Sequence, residues 1–488
     1  MGKLSILNAF ILGFLVLYAN QFLITRRRQE FGIYHVLGMK RSSMSLILLL
    51  ETMIIGIISL IMGLLLGILL SQLICTFTAS LFVVHVRYHF IFSLKALLIT
   101  LFSSLATGGA VIASQYIGRG DHKSASLAAK QLFYASLALS AVLGVIAVFF
   151  RKPVLNMVFG SIEADVMAHA QIYFLLSAIS YPFLAVYNAG AALFRSMGDS
   201  RTTMLISILM NTINIVGNAI LIYGFQMAAA GAATASLVSR AVGAIIITVL
   251  LLNPRRIIFY DKLHKPEIHL SMLKSILQIG VPNGLENSIF QIGKILVASI
   301  VSGFGTISIT ANAVAGNLAS LQVIPGMALG MAMITVVGQC IGAKDYEAVK
   351  KYTKKLMLIT YGVVWAMTLL MLLFSKQILS FYSLSEETTT MTMEVFIVHG
   401  ICAVIVWPLA FALPNALRAA NDVRFTMIVS LLSMWIFRIG FSYVLAIYFN
   451  MGILGTWIAM CIDWFCRGAC FVIRFARGKW KNISFIDN

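Results

Sequence analysis

Charge is scarce in this sequence. Only 11% of the residues are Asp, Glu, Lys or Arg, whereas 60% are hydrophobic. A soluble protein of this length needs far more polar surface to cover its core. Acid is scarcer still, with 17 carboxylates against 36 Lys and Arg. The resulting charge of +19 does not point to nucleic acid, because the basic residues sit in short loops between apolar runs, as in a membrane protein with one basic side. Cysteine is also sparse. Cys75, Cys340, Cys402, Cys461, Cys466 and Cys470 lie in or beside apolar runs, without metal-ligand spacing or a disulfide framework. There is no paired-histidine metal motif and no glycine-rich phosphate loop, so an enzyme is not expected. A secretory signal is missing as well. The run 5–24 has only Lys3 before it and Arg26, Arg27 and Arg28 after it, the reverse of a signal peptide, so it reads as a true span.

What is present is apolar length. About thirteen runs, from 5–24, 45–75 and 92–117 to 425–449 and 452–474, are each long enough to cross a bilayer. In lipid each backbone polar group must be satisfied within its own segment, so these runs are expected to be helices, and a barrel of short alternating strands is excluded. Seven basic groups, at 26–41, 119–130, 195–201, 255–274, 344–355, 418–424 and 474–481, fall on one side if the spans alternate. That side is the cytoplasm, which places the chain in a bacterial inner membrane with its N-terminus outside and its C-terminus inside.

The chain repeats itself. Gln115-Tyr116-Ile117-Gly118-Arg119-Gly120-Asp121 returns as Gln339-Cys340-Ile341-Gly342-Ala343-Lys344-Asp345, and Lys130, Lys152 and Leu155 meet Lys354, Lys376 and Leu379, all at an offset of 224. Arg195, Asp199, Arg201, Thr203 and Met204 meet Arg418, Asp422, Arg424, Thr426 and Met427 at 223. Equivalent loops share one side, so two parallel helical lobes around a cavity are expected. The repeat fails upstream of about residue 103.

From there onward the sequence resembles the MATE (multidrug and toxic compound extrusion) family. The resemblance is carried by ATGGAVIASQYIGRGD (106–121), ALFRSMGDSRTTM (192–204), GVPNGLENSIFQIGK (280–294) and MALGMAMITVVGQCIGAKD (327–345). It implies two six-helix lobes and efflux of organic cations or other amphiphiles, with Na⁺ or H⁺ as coupling ion and no other cofactor. Residues 1–101 instead resemble the C-terminal part of an FtsX-type permease of ABC transporters, through TRRRQEFGIYHVLGMKRSSMSLILLLETMIIG (25–56). That resemblance implies contact with a partner ATPase through 25–43. The expected organisation is therefore a permease-like fragment (1–101), a first lobe lacking its first helix (102–252), a linker (253–271) and a second lobe (272–488). The join falls inside one apolar run, whereas domains usually join at exposed linkers. Other readings are an ABC permease subunit, an inactive fusion, or a lipid-linked precursor flippase on the same two-lobe plan. The span 45–75 is expected to substitute for the missing helix, with 5–24 outside the bundle.

Polar residues inside spans default to function because they are costly there. Glu286 follows Pro282 in a helix that also carries Asn283, Asn287, Gln291 and Lys294, and it is the candidate for an ion or a cationic substrate. It lies nearer its proline than the acid on this helix in other MATE members. The helix from Val395 to Leu417 has no acid where some relatives place a second one. Asn211, Asn214 and Asn218 form a stripe that reads either as interhelical glue or as a substrate face, with Arg240 at the depth of Asn214. Arg438 and Asp463 lie at similar depth on an antiparallel pair and are expected to form a strut or a relay. Pro182, Pro325, Pro408 and Pro414 allow kinks.

Overall fold

The computed structural model describes residues 94–159, 164–261, 263, 267–382 and 384–483. The expectations for the spans 5–24 and 45–75, and for 25–43, fall outside them. The described residues belong to one compact unit, and they are almost entirely helical. The first lobe comprises α1 (Leu94–Gly118), α2 (His122–Phe149), α3 (Arg151–Phe159), α4 (Ala164–Ile179), α5 (Tyr181–Ser196), α6 (Ser200–Asn218) and α7 (Ala228–Leu251). The second comprises α8 (Leu270–Ser302), α9 (Thr306–Gly342), α10 (Tyr346–Leu373), α11 (Ser375–Ser380), α12 (Glu386–Ile405), α13 (Leu413–Ala419), α14 (Val423–Ser433) and α15 (Gly452–Ala476). Among the described residues, nine helical segments are long and apolar enough to span, or ten if the pair α4–α5, bent by 40° next to Pro182, counts as one.

The outer surface is that of a protein in lipid. On α6, Ile208, Ile215 and Val216 are 54%, 69% and 50% exposed, the reverse of a soluble helix with its apolar face inward. The turns repeat along with the sequence. Asp121 and Asp345 cap α2 and α10 by accepting the backbone N–H groups of Ser124 and Ala348. The turn ahead of each cap needs a left-handed residue, Gly120 (φ 79°) in one lobe and Lys344 (φ 57°) in the other. Widened π turns end α6 (Ala219–Gly224) and extend α14 (Met434–Gly440, Val444–Tyr448). Between α12 and α13 a further π turn, Pro408–Ala412, lies where the missing proline N–H and the ring disturb the ladder.

The polar linker after α7 is packed rather than free. Ile258 and Tyr260 are buried against the first lobe, with Tyr260 beside Phe133 at 5.3 Å. Gln131 on α2 donates to the Glu267 carbonyl at 2.6 Å and accepts from the His269 N–H at 3.1 Å. Burial pushes the Tyr260 phenol above its ordinary value. The two lobes meet chiefly through α1, which packs along both α8 and α9.

Candidate functional site

At the end of the bundle that carries the basic loops, the lobes lock by a reciprocal pair of bonds. Gln115 on α1 donates to the Ala419 carbonyl (2.7 Å) and to Asn421 Oδ1 (3.0 Å). Its repeat partner Gln339 on α9 donates to the Ser196 carbonyl at 2.9 Å. Each glutamine thus satisfies an orphan carbonyl at the C-terminus of a helix in the other lobe. The approach is close enough to require glycine: a Cβ on Gly118 would overlap the Gln339 carbonyl, and one on Gly342 would overlap that of Gln115. Further along α1, a Cβ on Gly108 would lie 2.5 Å from the Ile276 carbonyl of α8.

Glu286 sits on α8, one turn beyond Pro282, with its side chain 9% exposed. It does not stand free. Its Oε1 accepts from Arg418 Nη2 at 2.7 Å, and Arg418 Nη1 donates to Asn415 Oδ1 at 2.8 Å. Glu286 Oε2 is buried without a hydrogen-bond partner. Charge reasoning along the sequence assigned Arg418 only to a basic loop. Its repeat relation to Arg195 marked it as special, and the broken helix at Pro408–Ala412 and α13 carries it to Glu286. Asn283 is buried, and Asn287 Nδ2 donates to the Asn283 carbonyl at 2.9 Å, with Ser104 Oγ of α1 at 3.5 Å. Gln291 is half-buried one turn further on.

Asp463 is completely buried on α15. Its nearest cation is Arg467, four residues on, at 2.6 Å, while Arg438 stands at 3.9 Å, too far for a hydrogen bond. Ser433 donates to the other carboxylate oxygen at 2.5 Å. Arg438 therefore reaches Asp463 only as the outer member of a triad. The sequence-based pairing from helix depth fixed one coordinate and missed the simpler i, i+4 relation on α15. Phe290 of α8 faces this triad, with the guanidinium carbons of Arg438 and Arg467 at 5.4 and 5.6 Å from its ring centre and Lys294 Nζ at 5.1 Å.

In the first lobe the asparagine stripe is partly consumed by helix packing. Asn214 donates to Ser236 of α7 at 3.0 Å, and Asn218 donates to Asn214 at 3.2 Å, whereas Asn211 is exposed. Arg240 donates to Ser180 at the α4–α5 bend, 2.5 Å away. The stretch Val395 to Leu417 holds no acid, but the helix containing Val395 begins earlier, at Glu386, where Ser385 caps it, and so it also carries an exposed Glu394 two turns inside that start. A second feature missed from sequence is the buried chain Thr368–Gln322–His399, in which Gln322 Nε2 bonds Thr368 and Oε1 faces His399 Nδ1 at 2.9 Å.

Two homologous helical lobes, locked at one end and carrying buried ion pairs between apolar helices, define a multi-span membrane transporter rather than an enzyme. The MatE family model matches residues 87–220 and 282–444. The FtsX-like permease C-terminal model matches residues 2–121. The "Uncharacterized transporter YisQ" of Bacillus subtilis is 26% identical over 390 residues, covering 79% of this chain and 84% of that one. A "Probable multidrug resistance protein NorM" of Bacillus cereus is 30% identical over 377 residues, covering 74% and 80%. The solved outward-facing conformation of a multidrug resistance MATE family transporter superposes with a TM-score of 0.73 at 20% identity, over 80% of this chain and 87% of that one. The chain belongs to the MATE family.

Proposed function

We propose that the protein exports amphiphilic small molecules from the cell in exchange for Na⁺ or H⁺, with its basic end facing the cytoplasm of a bacterial inner membrane. The observation that carries this reading is Glu286. It is a buried carboxylate near the surface where the lobes meet, with one oxygen held by Arg418 and the other unpartnered. A proton or a Na⁺ ion taken by the unpartnered oxygen neutralises Glu286 and leaves Arg418 as an uncompensated buried charge. Such a charge is strongly unfavourable, so ion entry destabilises this arrangement and favours its rearrangement. The closed basic end described above is then the state that admits the ion from the opposite side. The multidrug names of relatives support a broad choice of substrate.

The test is flux of a fluorescent amphiphile in proteoliposomes under an imposed pH or Na⁺ gradient. Glu286→Gln is expected to abolish gradient-driven flux while leaving the folded protein in the membrane. Unchanged pH- and Na⁺-dependence in that variant would refute the assignment. The FtsX-like match favours a second reading, in which residues 25–43 dock a separate ATPase. Affinity purification of the full chain from its own host, with no ATPase recovered, counts against it.

A further inference from the structure

Charge in the interior of the second lobe does not balance. Lys294, Arg438 and Arg467 all lie within 5.6 Å of the Phe290 ring centre, and among the described residues Asp463 is the carboxylate that faces both guanidiniums. Arg467 donates to one oxygen of that carboxylate and Ser433 to the other, and Arg438 is too far from it to bond. The Nε–H groups of Arg438 and Arg467 are buried with no acceptor. Buried charges are normally paired, and two guanidiniums with buried, unpartnered Nε–H groups that share one carboxylate, beside the ammonium of Lys294, lack a counter-charge.

The placement of these groups gives the missing charge a way in. Asn283, Asn287, Phe290 and Lys294 follow one another at spacings of four, three and four residues, which is one stripe along α8. Asn283 is buried, Asn287 and Lys294 are exposed, and Phe290 lies between them half-buried. The stripe therefore leads from an exposed ammonium at Lys294, past an aromatic face, to the buried guanidinium of Arg438. Such a row fits a molecule with an apolar ring and an acidic group: the ring stacks on Phe290 and the acid is held between Lys294 and Arg438. Arginine is suited to this because its planar fork matches a carboxylate, sulfonate or phosphate.

We propose that this stripe is a substrate subsite for organic anions, so that the protein carries acidic amphiphiles rather than organic cations. The proposal rests on the transport reading given above and specifies its substrate class. It concerns the second lobe alone and does not use Glu286.

Binding and flux are measured separately, on the full chain. Purified wild-type protein in detergent is titrated with an anionic naphthalenesulfonate dye and, in parallel, with ethidium, each followed by fluorescence anisotropy. Lys294→Gln and the reversal Lys294→Glu are the main variants, because Lys294 is exposed and its replacement leaves the packed interior intact. Arg438→Gln is added with its melting temperature recorded. The anionic dye is expected to bind wild type at least tenfold more tightly than ethidium. That preference weakens at least tenfold in Lys294→Gln and reverses in Lys294→Glu, while the melting temperature stays within a few degrees. Tighter binding of ethidium, binding of neither dye, or anion binding indifferent to Lys294→Glu would each overturn the proposal. Gradient-driven flux in proteoliposomes is scored independently. Anion binding without flux overturns the transport reading and leaves the subsite standing.

Discussion

Gly118 and Gly342 set the separation of α1 and α9 at the closed end, and adding one methyl group there has a calculable effect. In Gly118→Ala the new Cβ overlaps the Gln339 carbonyl, so the two helices must part by more than about 1 Å before ordinary contact is restored. The bonds from Gln115 to Ala419 and from Gln339 to Ser196, at 2.7 and 2.9 Å, weaken or break together. Overpacking alone costs about 1–3 kcal/mol, and each lost hydrogen bond adds about 0.5–1.5 kcal/mol. A total of about 2–6 kcal/mol shifts the balance against the closed end by roughly 30-fold to more than 10,000-fold. Spin labels at Ser200 and Glu347, both exposed on that end and on different lobes, read the separation directly. Gly118→Ala is expected to add a population at longer distance and to slow turnover, and Gly342→Ala to do the same from the other side of the repeat. A distance distribution and turnover identical to wild type would show that this contact does not hold the end closed.

Three further outcomes follow from the same geometry. Asp463→Asn leaves Arg467 and Arg438 buried without their carboxylate and is expected to cost about 3–5 kcal/mol, seen as a lower melting temperature in detergent. Arg467→Gln is expected to lower that temperature more than Arg438→Gln, because the distances to Asp463 are 2.6 and 3.9 Å; the opposite order would show that the local pair is not the main one. The Asp121 cap carries a pH dependence. Hydrogen bonds from the Ser124 backbone N–H and then its side chain, with a smaller contribution from Arg119, hold the Asp121 carboxyl below its ordinary value. Its stabilisation is therefore present above the unfolded carboxylate range and lost as pH falls through the depressed value. Asp121→Ala should cost about 0.5–2 kcal/mol at neutral pH and progressively less on acidification, measured by thermal melting.

Much of the architecture was legible because it is written twice. The Gln-x-x-Gly segment followed by an aspartate cap at 115–121 and 339–345 identifies equivalent turns, and their hydrogen bonds match: Asp121 N–H to Tyr116 and Asp345 N–H to Cys340, both 3.0 Å. The asparagine stripe on α6 was visible from spacing, and its bonds to Ser236 and within the helix needed the neighbouring helix to be seen. The Glu286–Arg418 pair was not legible, since it depends on how the chain turns at Pro408–Ala412, and the wider π ladder there changes the azimuth of every later residue. The start of α12 was not legible for a different reason. The segment EETTTMTMEV is too polar to read as a span, yet Ser385 and its first-turn acids make it a well-capped helix start.

The reciprocal locking of the two lobes bears on how such a chain can change over evolutionary time. Of the residues that make the closure, Gln115 and Gly118 lie in the stretch 87–121 that both family models match, and Ser196, Gln339, Gly342 and Ala419 lie beyond it. Recombination upstream of Gln115 leaves every one of those partners on the same polypeptide and in the same register. A duplicated design of this kind divides its own labour: the latch is inherited as a matched set from α1 onward. The leading segment is then the part that a genome can exchange without breaking the latch.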